Sequence, residues 1–171
     1  MPGYIELPQK IFCWTEKAAS RSMVNALKKY PAIAASEVLK KRDDKPVVLY
    51  IRHPLNRLAS AWTHFAANGY GPTAYSPWPD FPAFCDKVLA GHINPHWDSQ
   101  TDQHVYHDVF LPNEWHRLED ITKTWPKRHP LLNVNQAKHP KPDIFYREQD
   151  LMLHYRRDLL ARGFENDDLF V

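Results

Sequence analysis

The run at residues 46–51, Pro-Val-Val-Leu-Tyr-Ile, constrains the fold more than any other part of the chain. It is apolar almost throughout and lacks the alternation that marks a strand with one wet face. A strand of that kind is buried on both sides, as in a parallel sheet covered by helices. The run stops at Arg52 and His53. Pro54 then suits the first position of a helix, where a backbone N–H would have no partner anyway. Leu55, Leu58, Ala59, Trp62 and Phe65 follow at helical spacing. An earlier stretch has the same order: Lys10-Ile11-Phe12-Cys13-Trp14 reads as a strand, a small polar turn follows, and Met23, Val24, Ala26 and Leu27 take up helical spacing. Two strand-to-helix units in succession predict an α/β domain in three layers, a central parallel β-sheet flanked by helices.

Residues 68–82 combine proline, glycine and the aromatics Tyr70, Tyr75, Trp78 and Phe81, the composition of an ordered loop covering a cleft. Downstream, a helix is expected at about 81–89, a strand at 105–111, a short helix at 118–125 and a strong helix at 147–162 ended by Gly163. With 171 residues, 43% hydrophobic and 13% aromatic, the chain has material for one core, so a single domain over 1–171 is expected. Lys and Arg number 22 against 20 Asp and Glu, a formal net charge of +2. That balance leaves no broad field to attract nucleic acid or an anionic membrane, and any anion site must be local. Only Cys13 and Cys85 are present, the first residues lack a basic-then-apolar leader, and no window approaches a membrane span. A reducing cytoplasm is the expected location. Five glycines against fifteen prolines disfavour a glycine-rich nucleotide loop.

Two segments carry chemistry. After the first strand, Lys17-Ala18-Ala19-Ser20-Arg21-Ser22 puts a lysine, an arginine and two hydroxyls where a strand meets a helix start, a natural place for an anion. The plain alternative is that Ser20 caps the helix while Lys17 and Arg21 are solvated. A Walker loop is disfavoured by the missing G-x-x-x-x-G-K-[ST] pattern. After the second strand, Arg52 leaves the carboxyl end of the sheet, where ligands bind in open α/β folds, and Arg57 and Ser60 follow three residues apart on one helix face. An arginine paired with a carboxylate is the plain alternative there.

Together the two segments resemble the signature of the sulfotransferase superfamily that uses 3′-phosphoadenosine-5′-phosphosulfate (PAPS), closest to its carbohydrate branch. The resemblance implies a P-loop-like fold in which Lys17, Ala19, Ser20, Arg21 and Ser22 grip the 5′-phosphosulfate. It implies that Arg52 and Ser60, with Arg57 between them, grip the 3′-phosphate in an R-x-P-x-x-R-x-x-S element. Asn94-Pro95-His96-Trp97-Asp98-Ser99-Gln100 is similar to the H-W-x-x-Q segment of the carbohydrate branch. Arg117-Leu118-Glu119-Asp120, Leu131-Leu132-Asn133 and Tyr155-Arg156-Arg157-Asp158 resemble later elements in the same order. Glu16 stands where proline is frequent, and His53 where aspartate is frequent.

The implied reaction moves a sulfuryl group from PAPS to a hydroxyl acceptor, a carbohydrate or a small molecule, and releases adenosine 3′,5′-bisphosphate (PAP). Lys17 is expected to follow the charge developing on the departing phosphate, and His96 to take the acceptor's proton, with Asp98, Asp102 and His64 as rivals. Gln100 is a further candidate donor contact. His92, His96, His104 and His107 raise a metal reading, but Pro95 interrupts the first pair and no cysteine completes a ligand set, so no metal is expected. The alternatives are a non-catalytic nucleotide- or phosphate-binding protein and a kinase-like phosphoryl transferase.

Overall fold

The computed structural model describes residues 3–15, 17–30, 32–34, 45–67, 80–94, 96–100, 112, 114–127, 142 and 145–160, with backbone alone at 32–34, 66, 67 and 160. Its strands are β1 (Gly3–Glu6), β2 (Ile11–Trp14), β3 (Ala32–Ala34), β4 (Val47–Ile51) and β5 (Glu114–Arg117). Its helices are α1 (Ser20–Ala26), α2 (Pro54–Ala67), α3 (Phe81–Leu89), α4 (Ile121–Thr124), α5 (Glu148–His154) and α6 (Arg156–Leu160), with a 3-10 turn at Leu118–Asp120.

The strands form one sheet in the order β3-β1-β2-β4-β5. β2, β4 and β5 are parallel neighbours, with Trp14 opposite Tyr50 and Ile51 opposite Arg117. β1 runs against both β2 and β3. The sheet is therefore mixed, where the sequence pointed to a wholly parallel one. The cause is local: the Leu7 N–H donates to the Lys10 carbonyl at 2.8 Å, closing a turn that folds β1 back on β2 as a hairpin.

All five residues of β4 are buried, which explains why its sequence shows no alternation. Side chains still alternate between faces and divide the core in two. Ile11, Cys13, Val47, Leu49 and Ile51 pack with Leu55 and Leu58 of α2, Phe84 and Val88 of α3, Leu151 of α5 and Leu159 of α6. Phe12, Trp14, Val48 and Tyr50 pack on the opposite side with Met23 of α1, Leu118 of the 3-10 turn and Ile121 of α4. Helices thus cover both faces, and the architecture is α/β in three layers.

Several local expectations hold. α3 covers 81–89, with the Asp80 carboxylate capping it by accepting from the Ala83 N–H at 2.8 Å. The short helix read at 118–125 is the 3-10 turn followed by α4. The single helix expected at 147–162 is instead two, α5 and α6, joined at the buried Tyr155. Most of the cleft-covering loop at 68–82, the strand at 105–111, the 131–133 element and Gly163 lie outside the described residues. No helix among the described residues is long and apolar enough to cross a membrane.

The connections leaving β2 and β4 diverge. β2 leads through α1 to β3, beyond β1, whereas β4 leads through α2 and α3 toward β5 at the other edge. Adjacent parallel strands whose connections part in this way open a crevice at their carboxyl ends, the usual ligand position in open α/β sheets. The Lys17 turn and Arg52 stand at that crevice.

Candidate functional site

The turn from β2 into α1 is built from left-handed backbone. Lys17 and Ala19 have φ of 62° and 58°, and neither is glycine. Such residues cost about 1–3 kcal/mol each and persist only where their surroundings fix them. Here Ala18 is buried between them, and its N–H donates to the Thr15 carbonyl at 3.3 Å. Ala19, not Ser20, occupies the cap position of α1, and no side chain caps that helix. The plain reading of Ser20 as a helix cap therefore fails.

Arg52 arrives at this turn from β4. Its Nη1 donates to the Lys17 carbonyl at 3.4 Å. Cationic charge accumulates as a result: burial, Arg21, Arg57 and Arg52 together push the Lys17 ammonium down to about 8. Burial also lowers Arg52, opposed by the Glu119 carboxylate, which in turn accepts from the His53 N–H at 3.2 Å where α2 begins. Cations gathered at two adjoining strand ends make a candidate anion site.

Gln100 holds the two strand ends in place. Its Oε1 accepts from the Arg52 N–H at 3.0 Å and from the Thr15 hydroxyl at 3.3 Å, while its Nε2 donates to the Arg52 carbonyl at 2.7 Å. The side chain is fully buried. Asp158 of α6 secures the segment from behind, accepting from the Gln100 N–H and the Ser99 hydroxyl, each at 2.8 Å. Arg57 is only 1% exposed and donates to the Asp98 carbonyl at 2.6 Å, with Asp158 and Asp98 close enough to support its charge. Gln100 and Arg57, expected from the sequence to face the donor, are turned inward. They position Arg52 and the 96–100 segment because both are surrounded by backbone that needs their hydrogen bonds.

His96 lies over the crevice from this same segment. Its ring stacks on His64 of α2 at 6.1 Å between centroids and 13° between planes, and meets the edge of Phe65 at 5.1 Å. Its Nδ1 is 2.8 Å from Asn94 Oδ1. Burial, Lys17, His64 and Arg57 push the imidazole down to about 4, so the ring is neutral near pH 7. His64 is lowered for the same reasons, burial first and then Lys17 and Arg21. A neutral base thus stands in the field of a protonated lysine.

The structure brings together Lys17, Ala19, Ser20, Arg21 and Ser22 on the turn and α1, Arg52 at the end of β4, and His96 with its neighbour His64. Ser60 lies half-buried on α2, one turn after Arg57 and one turn before His64. Trp97, the second residue of the H-W-x-x-Q segment, is core: it packs against Phe65 and Phe84, and its Nε1 donates to the His92 carbonyl. The sequence reading missed Thr15, Asn94 and the depth of Asp158. Only Asn94 left a signal, an Asn two residues before a His, which is the spacing of an Asx turn. Among the described residues no three His, Cys, Asp or Glu side chains are grouped to hold a metal, and Asp102, His104 and His107 lie outside them. No family model, curated protein or solved structure matches this chain.

Proposed function

We propose that this chain is a sulfotransferase that takes its sulfuryl group from PAPS and passes it to a hydroxyl acceptor, on a three-layer, P-loop-like scaffold. The observation that carries this reading is the meeting of the Lys17 turn with Arg52 at the crevice between β2 and β4. Lys17 and Arg21 supply charge for the 5′-phosphosulfate, with Ser20 and Ser22 as hydroxyl donors. Arg52 and Ser60 are assigned to the 3′-phosphate, Gln100 holds Arg52 in place, and Arg57 holds the Asp98 carbonyl of the segment that carries His96.

In the transfer step the acceptor's O–H bond breaks and its proton passes to His96. The oxygen–sulfur bond forms while the bond from sulfur to the 5′-phosphate oxygen breaks, and its electron pair stays on that oxygen. Lys17, still protonated near pH 7, neutralises the charge that appears there. PAP leaves as the second product.

The test is transfer of labelled sulfate from PAPS to a panel of sugars, phenols and small alcohols, read by mass spectrometry. Sulfated product that disappears in Lys17→Ala and in His96→Ala supports the assignment. Failure of the wild-type protein to sulfate any acceptor while it hydrolyses or transfers from ATP would sink it.

A further inference from the structure

We infer that Asn94 is a positioning residue for proton transfer: it fixes His96 as the Nδ1–H tautomer and leaves Nε2 as the atom that accepts the proton. The role in transfer rests on the sulfotransferase reading, whereas the tautomer stands on the hydrogen-bond geometry of a neutral ring.

The Asn94 side-chain atom facing residue 96 is 2.9 Å from the His96 backbone N–H. A backbone N–H can only donate, so that atom must be the carboxamide oxygen and not the nitrogen. The same oxygen is 2.8 Å from His96 Nδ1. An oxygen with no hydrogen can only accept, so Nδ1 must carry one. In a neutral imidazole the other nitrogen then bears the lone pair. Neutrality follows from burial and from the cations around the ring, Lys17 and Arg57.

Asn94 is itself fixed. Its N–H donates to Asp98 Oδ1 at 2.7 Å, and its carbonyl accepts from the N–H groups of Trp97 and Asp98 at 3.0 and 2.8 Å. The ring cannot easily turn over, since it lies between His64 and the Phe65 edge. Tautomer and orientation are therefore set before any acceptor arrives. When Nε2 takes the proton, the Asn94 oxygen remains on Nδ1–H and steadies the imidazolium until it returns the proton to solvent.

The test is nitrogen-15 NMR of the histidine rings in the full chain at pH 7, with kinetics on the same samples. The wild type should show His96 protonated at Nδ1 and bare at Nε2. Asn94→Ala should shift it toward Nε2–H, the form a free histidine side chain prefers, and lower kcat by about tenfold or more with the donor KM unchanged. Asn94→Asp keeps the acceptor oxygen and should keep the wild-type tautomer. An Nε2–H spectrum in the wild type, or a wild-type tautomer in Asn94→Ala, overturns the assignment. A changed tautomer with unchanged kcat overturns the positioning role. A wild type that shows the Nδ1–H spectrum but transfers nothing from PAPS removes the parent reading and leaves the tautomer assignment intact.

Discussion

Lys17 has a left-handed backbone, and its partial burial and the three arginines in its field disfavour its charge in the ligand-free protein. Its ammonium sits at about 8, below the ordinary 10.5, so between those values the unfolded chain holds a proton that the fold releases. Ligand-free stability therefore rises with pH across that window, and the penalty is complete below it. Replacing the charge with an apolar stem of similar length, Lys17→Met, should raise the melting temperature of the ligand-free protein at pH 7. The same change should slow transfer by about 10²–10³-fold. An anion beside Lys17 reverses the sign of its shift, so binding PAP at pH 8 should be accompanied by proton uptake, visible as a dependence of calorimetric heat on the buffer's ionisation enthalpy. His96 behaves in a parallel way at lower pH. With its imidazole at about 4 instead of 6.5, the unfolded chain takes the extra proton first as pH falls, and stability drops through that interval. His96→Gln should flatten that acid limb in a thermal-unfolding series. At this scale the sequence made Lys17 and His96 visible because their residue types and strand-end position suggest chemistry. Asn94 left only its Asx-turn spacing before His96, a weak signal because an asparagine in a polar loop has many ordinary uses.

The described residues between Asn94 and Gln100 run mostly through turns and bends, yet they link several parts of the site. They present His96 to the crevice, bury Trp97 in the core, and insert Gln100 between Thr15 and Arg52. α6 and the residue before it hold the segment from beneath, through Asp158 and through the Tyr155 hydroxyl, which donates to the Trp97 carbonyl. Asp158→Ala should cost about 3–5 kcal/mol in denaturant unfolding, since it removes one of the two carboxylates that support the buried Arg57 and the acceptor of the Gln100 N–H and the Ser99 hydroxyl. Asp158→Asn should cost less. The sequence-level resemblance put Tyr155 and Asp158 in a closing helix without saying what they close on, because partners 58 residues distant leave no trace in local periodicity. The same limit explains β5. Glu-Trp-His-Arg has neither the apolar run nor the alternation of a strand, and it forms one because β4 offers an open parallel edge. By contrast, β2, β4, α2 and α3 were legible, since each carries its own burial pattern or cap.

The described residues form a mixed five-stranded sheet between two helical layers, and the candidate site lies at one end of that sheet. The antiparallel β1 enlarges the sheet without changing that end, because β2 and β4 still run side by side and their exits still diverge. A formal net charge of only +2 means that the cations at the crevice are a local concentration. Anion binding should therefore be specific in geometry and weaken only moderately with salt. The most direct measurement is calorimetric titration of the wild-type protein and of Arg52→Ala with PAP and with ATP. Saturable binding of PAP in preference to ATP, lost or much weakened in Arg52→Ala while the fold stays intact, is the predicted result. Equal or tighter binding of ATP, or PAP binding unaffected by the loss of Arg52, would contradict it.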